Sequence, residues 1–261
     1  VGFDVIPQAA EEMNIPLNKI SKALIMSICL AGLWYMIMII SIGFAASDSI
    51  RAAATGIPVA DAFAAITNSS FVGKLMIVAA LCGILTSWNG FFIGATRVLF
   101  GMGRGKMLPT VFGKVHPVHK TPVAAILLVT IVTGFSPLLG KGALGWFVDA
   151  SAFGTVVAYF MVALSFIFLR KKEPDLLRPY KAPGGIVTGV IAVLVSLFFI
   201  YLYTPISPNG LGGICWAMIG GWTLLGVIFA IMAYVKFKDT PWAEREYLLL
   251  GEYAREKKPG A

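Results

Sequence analysis

The chain alternates between long runs without a charged residue and short connections that carry nearly all of its charge. Uncharged stretches cover residues 23–47, 75–96 and 121–140. A fourth, 142–169, is interrupted only by Asp149, and a fifth, 182–235, is far longer than one membrane crossing. Thr204, Pro205, Pro208, Asn209 and Gly210 fall inside that last run, a composition that breaks helices, and divide it into two. Each piece comes near the roughly 20 apolar residues that a helix needs to cross about 30 Å of hydrocarbon. The pattern predicts an all-α, polytopic transmembrane helical bundle. Six transmembrane helices lie within residues 19–235, after a leading segment 1–18 and before a tail 236–261.

The charges test that count. Lys19 and Lys22 precede the first span, and Arg97, Arg104, Lys106, Lys114 and Lys120 lie between the second and third. Arg170, Lys171, Lys172, Arg178 and Lys181 lie between the fourth and fifth, and the remaining basic residues follow the sixth. Of 21 Lys and Arg residues, only Arg51, Lys74 and Lys141 fall on the other side. The excess of cations marks the cytoplasmic face, so both ends of the span array are expected there, in the plasma (inner) membrane. One helix too many or too few would scramble this alternation.

Composition narrows the class further. Charged residues make up 13% of the chain, too little polar surface for a soluble globule of this length. The net charge of +8 is explained by cytoplasmic connections facing anionic lipid, not by nucleic-acid binding. Cys29, Cys82 and Cys215 sit in separate spans without metal or disulfide spacing and read as small packing residues. Gly101-Met102-Gly103-Arg104-Gly105-Lys106 has neither the preceding strand nor the spacing of a nucleotide loop. His116 and His119 lack the companions of a metal site. With no hydrolytic triad or H-E-x-x-H arrangement inside a span, the chain does not read as an enzyme.

The segment before the first span is unlike a solvated tail. Gly2 and Pro7 weaken a helix, and Asp4 places a carboxylate among apolar neighbours. Composition allows two readings: an interfacial stretch, or the second half of a discontinuous membrane helix.

Five landmarks together resemble one family. Gly2-Phe3-Asp4 is followed by Ala10-Glu11-Glu12, an Asn14-Ile15-Pro16 turn and a helix with basic flanks. This is similar to the sixth helix of the amino acid–polyamine–organocation transporters. Residues 89–109, N-G-F-F-I-G-A-T-R-V-L-F-G-M-G-R-G-K-M-L-P, resemble the eighth helix and its basic exit. Lys114-Val115-His116-Pro117 with Thr121-Pro122 resembles the entry to helix nine. Arg170-Lys171-Lys172-Glu173-Pro174, then Arg178-Pro179-Tyr180-Lys181-Ala182-Pro183-Gly184, resembles the loop after helix ten. Ser21 departs from the pattern, where the family often has a second Pro.

The resemblance implies a LeuT-like inverted-repeat fold of which this chain supplies helices six to twelve. Residues 1–18 would be the second half of broken helix six, and the missing N-terminal half of the same protein a necessary partner. It also implies a secondary transporter moving an amino acid or amine substrate by alternating access. No cofactor is expected beyond H+ or Na+ as coupling ion, and symport, antiport or exchange all fit. A non-transporting membrane scaffold or regulatory subunit on the same fold is the alternative.

Candidate site residues follow from both lines. Gly2 suits an unwound segment, because glycine adopts backbone angles closed to other residues, and Phe3 stands beside it. Asp4 is the leading candidate, since a carboxylate in hydrocarbon must face a cavity, pair, or take up a proton. Its alternative role is to cap the second half-helix through that helix's free amides. Glu11 and Glu12, two helical turns further on, suit a gate or structural ion pair at headgroup depth. On the second span, Ser87, Trp88 and Asn89 form a polar cluster with Thr86. Trp88 and Asn89 are expected to line the substrate cavity, Ser87 to offer an oxygen to an ion, and Thr86 to bond within the bundle. Asp149 and Ser151, near the outer end of the fourth span, suit an outer gate or plain interfacial exposure. In the tail, Trp242, residues 247–250 and Tyr253 alternate with charges, as in a helix lying on lipid; a solvated tail is the alternative.

Overall fold

A computed structural model describes residues 2–8, 16–45, 58–140, 142–174, 178, 180–208 and 210–251, the side chains of 17, 18, 42, 45 and 58 excepted. Glu11, Glu12, Lys141, Asn209 and Tyr253 lie outside the described residues. Those described form α1 (Val5–Gln8), α2 (Leu17–Ala45), α3 (Pro58–Ile66), α4 (Ser70–Arg104) and α5 (Val123–Phe135, continued by a 3-10 turn Ser136–Leu139). They continue with α6 (Ala143–Lys172), α7 (Ile186–Tyr203), α8 (Gly213–Phe237) and α9 (Trp242–Leu250). No strand occurs among them.

Five helices, within α2, α4, α6, α7 and α8, are long and apolar enough to cross a membrane. The sixth expected span, α5, is shorter. Its 13 α residues and 4 residues of 3-10 helix reach about 28 Å at their usual rises of about 1.5 and 2.0 Å per residue. Ser136-Pro137 explains the change of helix type, because proline lacks the N–H that would continue the α ladder. The expected break at 204–210 is present. Ser207 N–H donates to Thr204 O, Gly210 N–H to Ser207 O and Leu211 N–H to Tyr203 O. Gly210 lies so close to the Thr204 carbonyl that no side chain fits there.

The chain divides into two compact units, Val1–Ala95 and Thr96–Ala261, with α4 continuing through the boundary. In the first unit, α3 is an element the charge pattern did not announce. Pro58 opens it, as proline does where the first N–H needs no partner. Its buried residues are alanines, Ala60 and Ala62. A methyl group on Gly73 of α4 would lie 2.9 Å from Ala64 Cβ, so small residues bring these helices together. By contrast, α2 exposes large apolar side chains along its length, including Trp34 and Phe44. Apolar character all round, without burial, is the signature of a helix whose environment is lipid or other helices.

In the second unit, α6 packs along α7 and α8. Gly189 permits the approach of α7, since a methyl group there would meet Ile167 Cγ1 and Phe166 Cδ1 at 2.8 Å. Phe153 of α6 makes edge contacts with Trp216 at 5.2 Å and Tyr203 at 6.1 Å. At the basic end, Leu108, Phe112 and Ala125 are buried against Leu99, Leu128 and Phe229. The Arg178 guanidinium donates to the carbonyls of Leu169 (3.2 Å), Glu173 (2.6 Å) and Pro174 (2.9 Å), capping the C-terminal end of α6.

Two boundaries differ from expectation. α4 runs on through Arg97 to Arg104, 35 residues, so it outreaches the hydrocarbon and the loop begins only at Gly105. Gly103 remains helical because Gly113 folds back on it: a methyl group on Gly103 would lie 2.5 Å from Gly113 N. The described part of the tail, α9, is helical and rests on this same exit. Lys106 Nζ pairs with Glu244 Oε1 at 2.6 Å, Arg104 Nη2 donates to Leu249 O at 3.1 Å, and Leu249 covers Gly105. Trp242 and Leu250 point away and stay exposed.

Candidate functional site

The unwound start of the chain and the middle of α4 meet within the first unit. Gly2 has φ +98°, a backbone angle natural to glycine and strained for any L side chain. Space is not the constraint, because a methyl group there would lie 3.6 Å from Phe91 Cζ, an ordinary contact. From Gly2 the backbone turns: Val5 N–H donates to Gly2 O at 3.3 Å and Ile6 N–H to Phe3 O at 3.2 Å. Phe3 and Asp4 occupy that turn, and α1 follows.

The other wall is α4. A methyl group on Gly94 would overlap Gln8 Oε1 and lie 3.3 Å from Val5 Cγ2, so the bare glycine lets α1 approach. Phe91 and Gly94 are three residues apart and share a helix face, and Ser87 lies one turn before Phe91 on that stripe. Thus the face of α4 turned toward α1 is Ser87–Phe91–Gly94. Trp88 stands on its shoulder, exposed, with its ring 6.2 Å from Phe92 in an edge contact. Asn89, also exposed, is rotated to the far flank by two residues' worth of turn.

Asp4 is half-buried, and its Oδ1 is fully covered without a hydrogen-bond partner among the described residues. A covered carboxylate oxygen with no donor is costly, and each such group calls for a functional or bound-species explanation. The capping role expected for Asp4 would require α1 amides to donate to it. No bond to Oδ1 is present among the described residues.

The hydroxyls of α4 divide clearly. Thr86 Oγ1 donates to Cys82 O (3.1 Å) and Gly83 O (2.9 Å), satisfying itself within its own helix. Ser87 is exposed on the stripe that faces α1. Asp149 and Ser151 belong to the second unit. Asp149 is exposed on α6, and Ser151 Oγ donates to Val148 O at 2.8 Å. Among the described residues no group of three or more His, Cys, Asp or Glu is placed to hold a metal ion.

Charge and polarity did not single out Phe91, Gly94, Val5 or Gln8, which position the turn. A spacing signal existed: Gly90 and Gly94 form a G-x-x-x-G pair, the pattern of close helix approach in membranes. Only Gly94 of that pair meets a neighbour.

A sequence profile of the amino acid permease family matches residues 1–231. The branched-chain amino acid permease BcaP of Bacillus subtilis is 30% identical over 239 residues, 87% of this chain and 46% of its own length. The methylthioribose transporter of Bacillus subtilis is 27% identical over 230 residues, 87% of this chain and 47% of its own. Cationic amino acid transporter 7, chloroplastic, of Arabidopsis thaliana is 30% identical over 211 residues, 80% of this chain and 35% of its own. The chain therefore spans about half the length of the first two relatives and less of the third. These relatives are named as a permease and transporters, not as enzymes. Together with the five long apolar helices, they make this an integral, multi-pass membrane protein.

Proposed function

We propose, from the premise that this chain belongs to the amino acid permease family, that it forms the C-terminal half of a secondary active transporter for amino acids or related amines. Residues outside this chain supply the helices that close the cavity on the other side. Carriers of this architecture hold substrate near mid-membrane where helices are discontinuous, with free backbone groups and half-helix ends as ligands. The turn at Gly2–Asp4 is such a discontinuity. Irregular backbone at membrane depth persists only where it lines a cavity or is buried in protein.

One observation carries the reading: Asp4 brings a covered carboxylate oxygen, without a hydrogen-bond partner among the described residues, into that turn, beside the α4 stripe that holds Ser87. There it can receive an ammonium group, a proton or a sodium ion. Gly2 and Phe3 shape the substrate side, Trp88 walls it, and Ser87 offers a hydroxyl to substrate or ion. Asp149 and Ser151 serve an outer gate, while Glu11 and Glu12 serve the cytoplasmic side. The basic connections favour a cytoplasmic position for both ends of the span array, with α5 as the sixth crossing.

The full-length carrier, reconstituted in proteoliposomes, tests this with a mixture of labelled amino acids under an imposed proton or sodium gradient. Accumulation or exchange above protein-free vesicles is expected. Absence of uptake, exchange and binding would make the protein a scaffold on the same fold.

A further inference from the structure

The long basic connection between α4 and α5 carries no acidic residue. From Thr96 to Pro122 the chain has no Asp or Glu, yet it holds Arg97, Arg104, Lys106, Lys114 and Lys120. Lys106 is neutralised by Glu244 and Arg104 is bonded to Leu249 O. Lys114 and Lys120 are exposed and have no carboxylate partner among the described residues.

Beside them is a cleft of about 360 Å³ whose floor is apolar, built by Val111, Val115, Val123 and Leu127, with Lys114 and His116 also lining it. These four apolar side chains are each 41–54% exposed. His116 is oriented for donation. Its Nδ1 accepts the backbone N–H groups of Val118 (3.3 Å) and His119 (3.2 Å), so the proton of the neutral ring sits on Nε2. Lys120 N–H in turn donates to His116 O at 2.9 Å, so the backbone at Lys120 turns back on that of His116. From the cleft an apolar track leads into the span. Val123, Leu127, Ile131 and Phe135 recur every fourth residue along α5, all exposed, over about 18 Å.

We infer that this cleft binds one anionic phospholipid, its phosphate held by Lys114, Lys120 and His116 Nε2 and one acyl chain lying along the α5 track. Cations at headgroup depth beside an apolar channel match the two halves of such a lipid, and basic pockets on a cytoplasmic face are suited to acidic headgroups. A neutral lipid would leave the lysines uncompensated. A second copy of this chain placed symmetrically would set lysine against lysine. The site does not depend on the transport reading; it needs that α5 borders the bilayer with its basic end at headgroup depth.

Native mass spectrometry of the full-length protein, exchanged into mixed phosphatidylglycerol and phosphatidylcholine, tests it. The protein is expected to keep one phosphatidylglycerol at least tenfold more often than one phosphatidylcholine. Lys114→Gln with Lys120→Gln should cut that preference at least fivefold, while Lys171→Gln with Lys238→Gln leaves it intact. Leu127→Trp, which fills the track but spares every charge, should also lower retention. Equal retention of the two lipids, an equal loss in the control pair, or full displacement by millimolar inorganic phosphate would each overturn the proposal. The last result would mean a free-anion site.

Discussion

Replacing Gly2 by alanine isolates the backbone cost of the unwound turn. The methyl group meets Phe91 Cζ at 3.6 Å, so it adds no overlap. What it adds is an L side chain at φ +98°. Holding a residue in such a region costs about 1–3 kcal/mol. At about 1.4 kcal/mol per factor of ten, the native turn should lose roughly five- to 150-fold in population relative to alternatives. Uptake by the full-length carrier should fall within that range while expression and membrane insertion are kept. Gly90→Ala, where none of the described residues lies within 4 Å and the backbone is helical, is the matched control and should be near neutral. A second contrast separates conformation from crowding. In Gly94→Ala the new methyl overlaps Gln8 Oε1, the far end of a flexible side chain. Its defect should therefore be small, and Gln8→Ala should remove it. The Gly2→Ala defect should not be relieved by Phe91→Ala. Rescue by Phe91→Ala, or a Gly2→Ala as benign as Gly90→Ala, would refute the conformational argument.

Three further outcomes follow from the same structure. Asp4→Asn keeps the size of the side chain but cannot bind and release a proton, so gradient-driven accumulation should vanish while exchange or binding persists. Unchanged accumulation would reduce Asp4 to a structural role and move the coupling ion toward sodium near Ser87. The Lys106–Glu244 pair, with side chains 24% and 39% exposed, should contribute no more than about 1 kcal/mol in a double-mutant thermal-unfolding cycle. A larger coupling would show that α9 is held chiefly by charge and not by Leu249 on Gly105. Single cysteines at Ser49 and Asn209 should label from outside intact cells and those at Lys120 and Lys172 should not; the opposite pattern would invert the topology.

The spans were legible because crossing a bilayer demands length and apolarity, and both are written locally in the sequence. The 204–210 break was legible for the same reason, since Pro205, Pro208 and Gly210 act on their own backbone. Other features depend on contacts between distant residues. α3 stands on Ala60 and Ala64 meeting Gly73, small residues with no signal in a hydropathy trace. The extension of α4 to Arg104 is stabilised by Gly113 and by the tail helix, neither adjacent in sequence. Charge alternation in the tail pointed to a helix, but not to the contacts that Glu244 and Leu249 make with the exit of α4. For the candidate site, Gly2 and Asp4 stood out as a helix-breaking and a charged residue among apolar neighbours. Which face of α4 opposes them did not, because α4 is apolar all round and periodicity alone cannot choose a side. In the structure Phe91 and Gly94 meet Gly2 and α1, Ser87 shares their stripe, and Asn89 lies on the far flank.

That choice of face admits a direct measurement. In the full-length carrier with Cys29, Cys82 and Cys215 replaced, single cysteines at Ser87 and at Asn89 can be reacted with a hydrophilic thiol reagent, with and without an amino acid mixture. If the Gly2–Asp4 turn and the Ser87 stripe enclose the substrate, Ser87→Cys should react through water and be protected by substrate, and Asn89→Cys should show no protection. Protection of Asn89→Cys alone, or no protection at either position by a mixture that the carrier transports, would contradict the site.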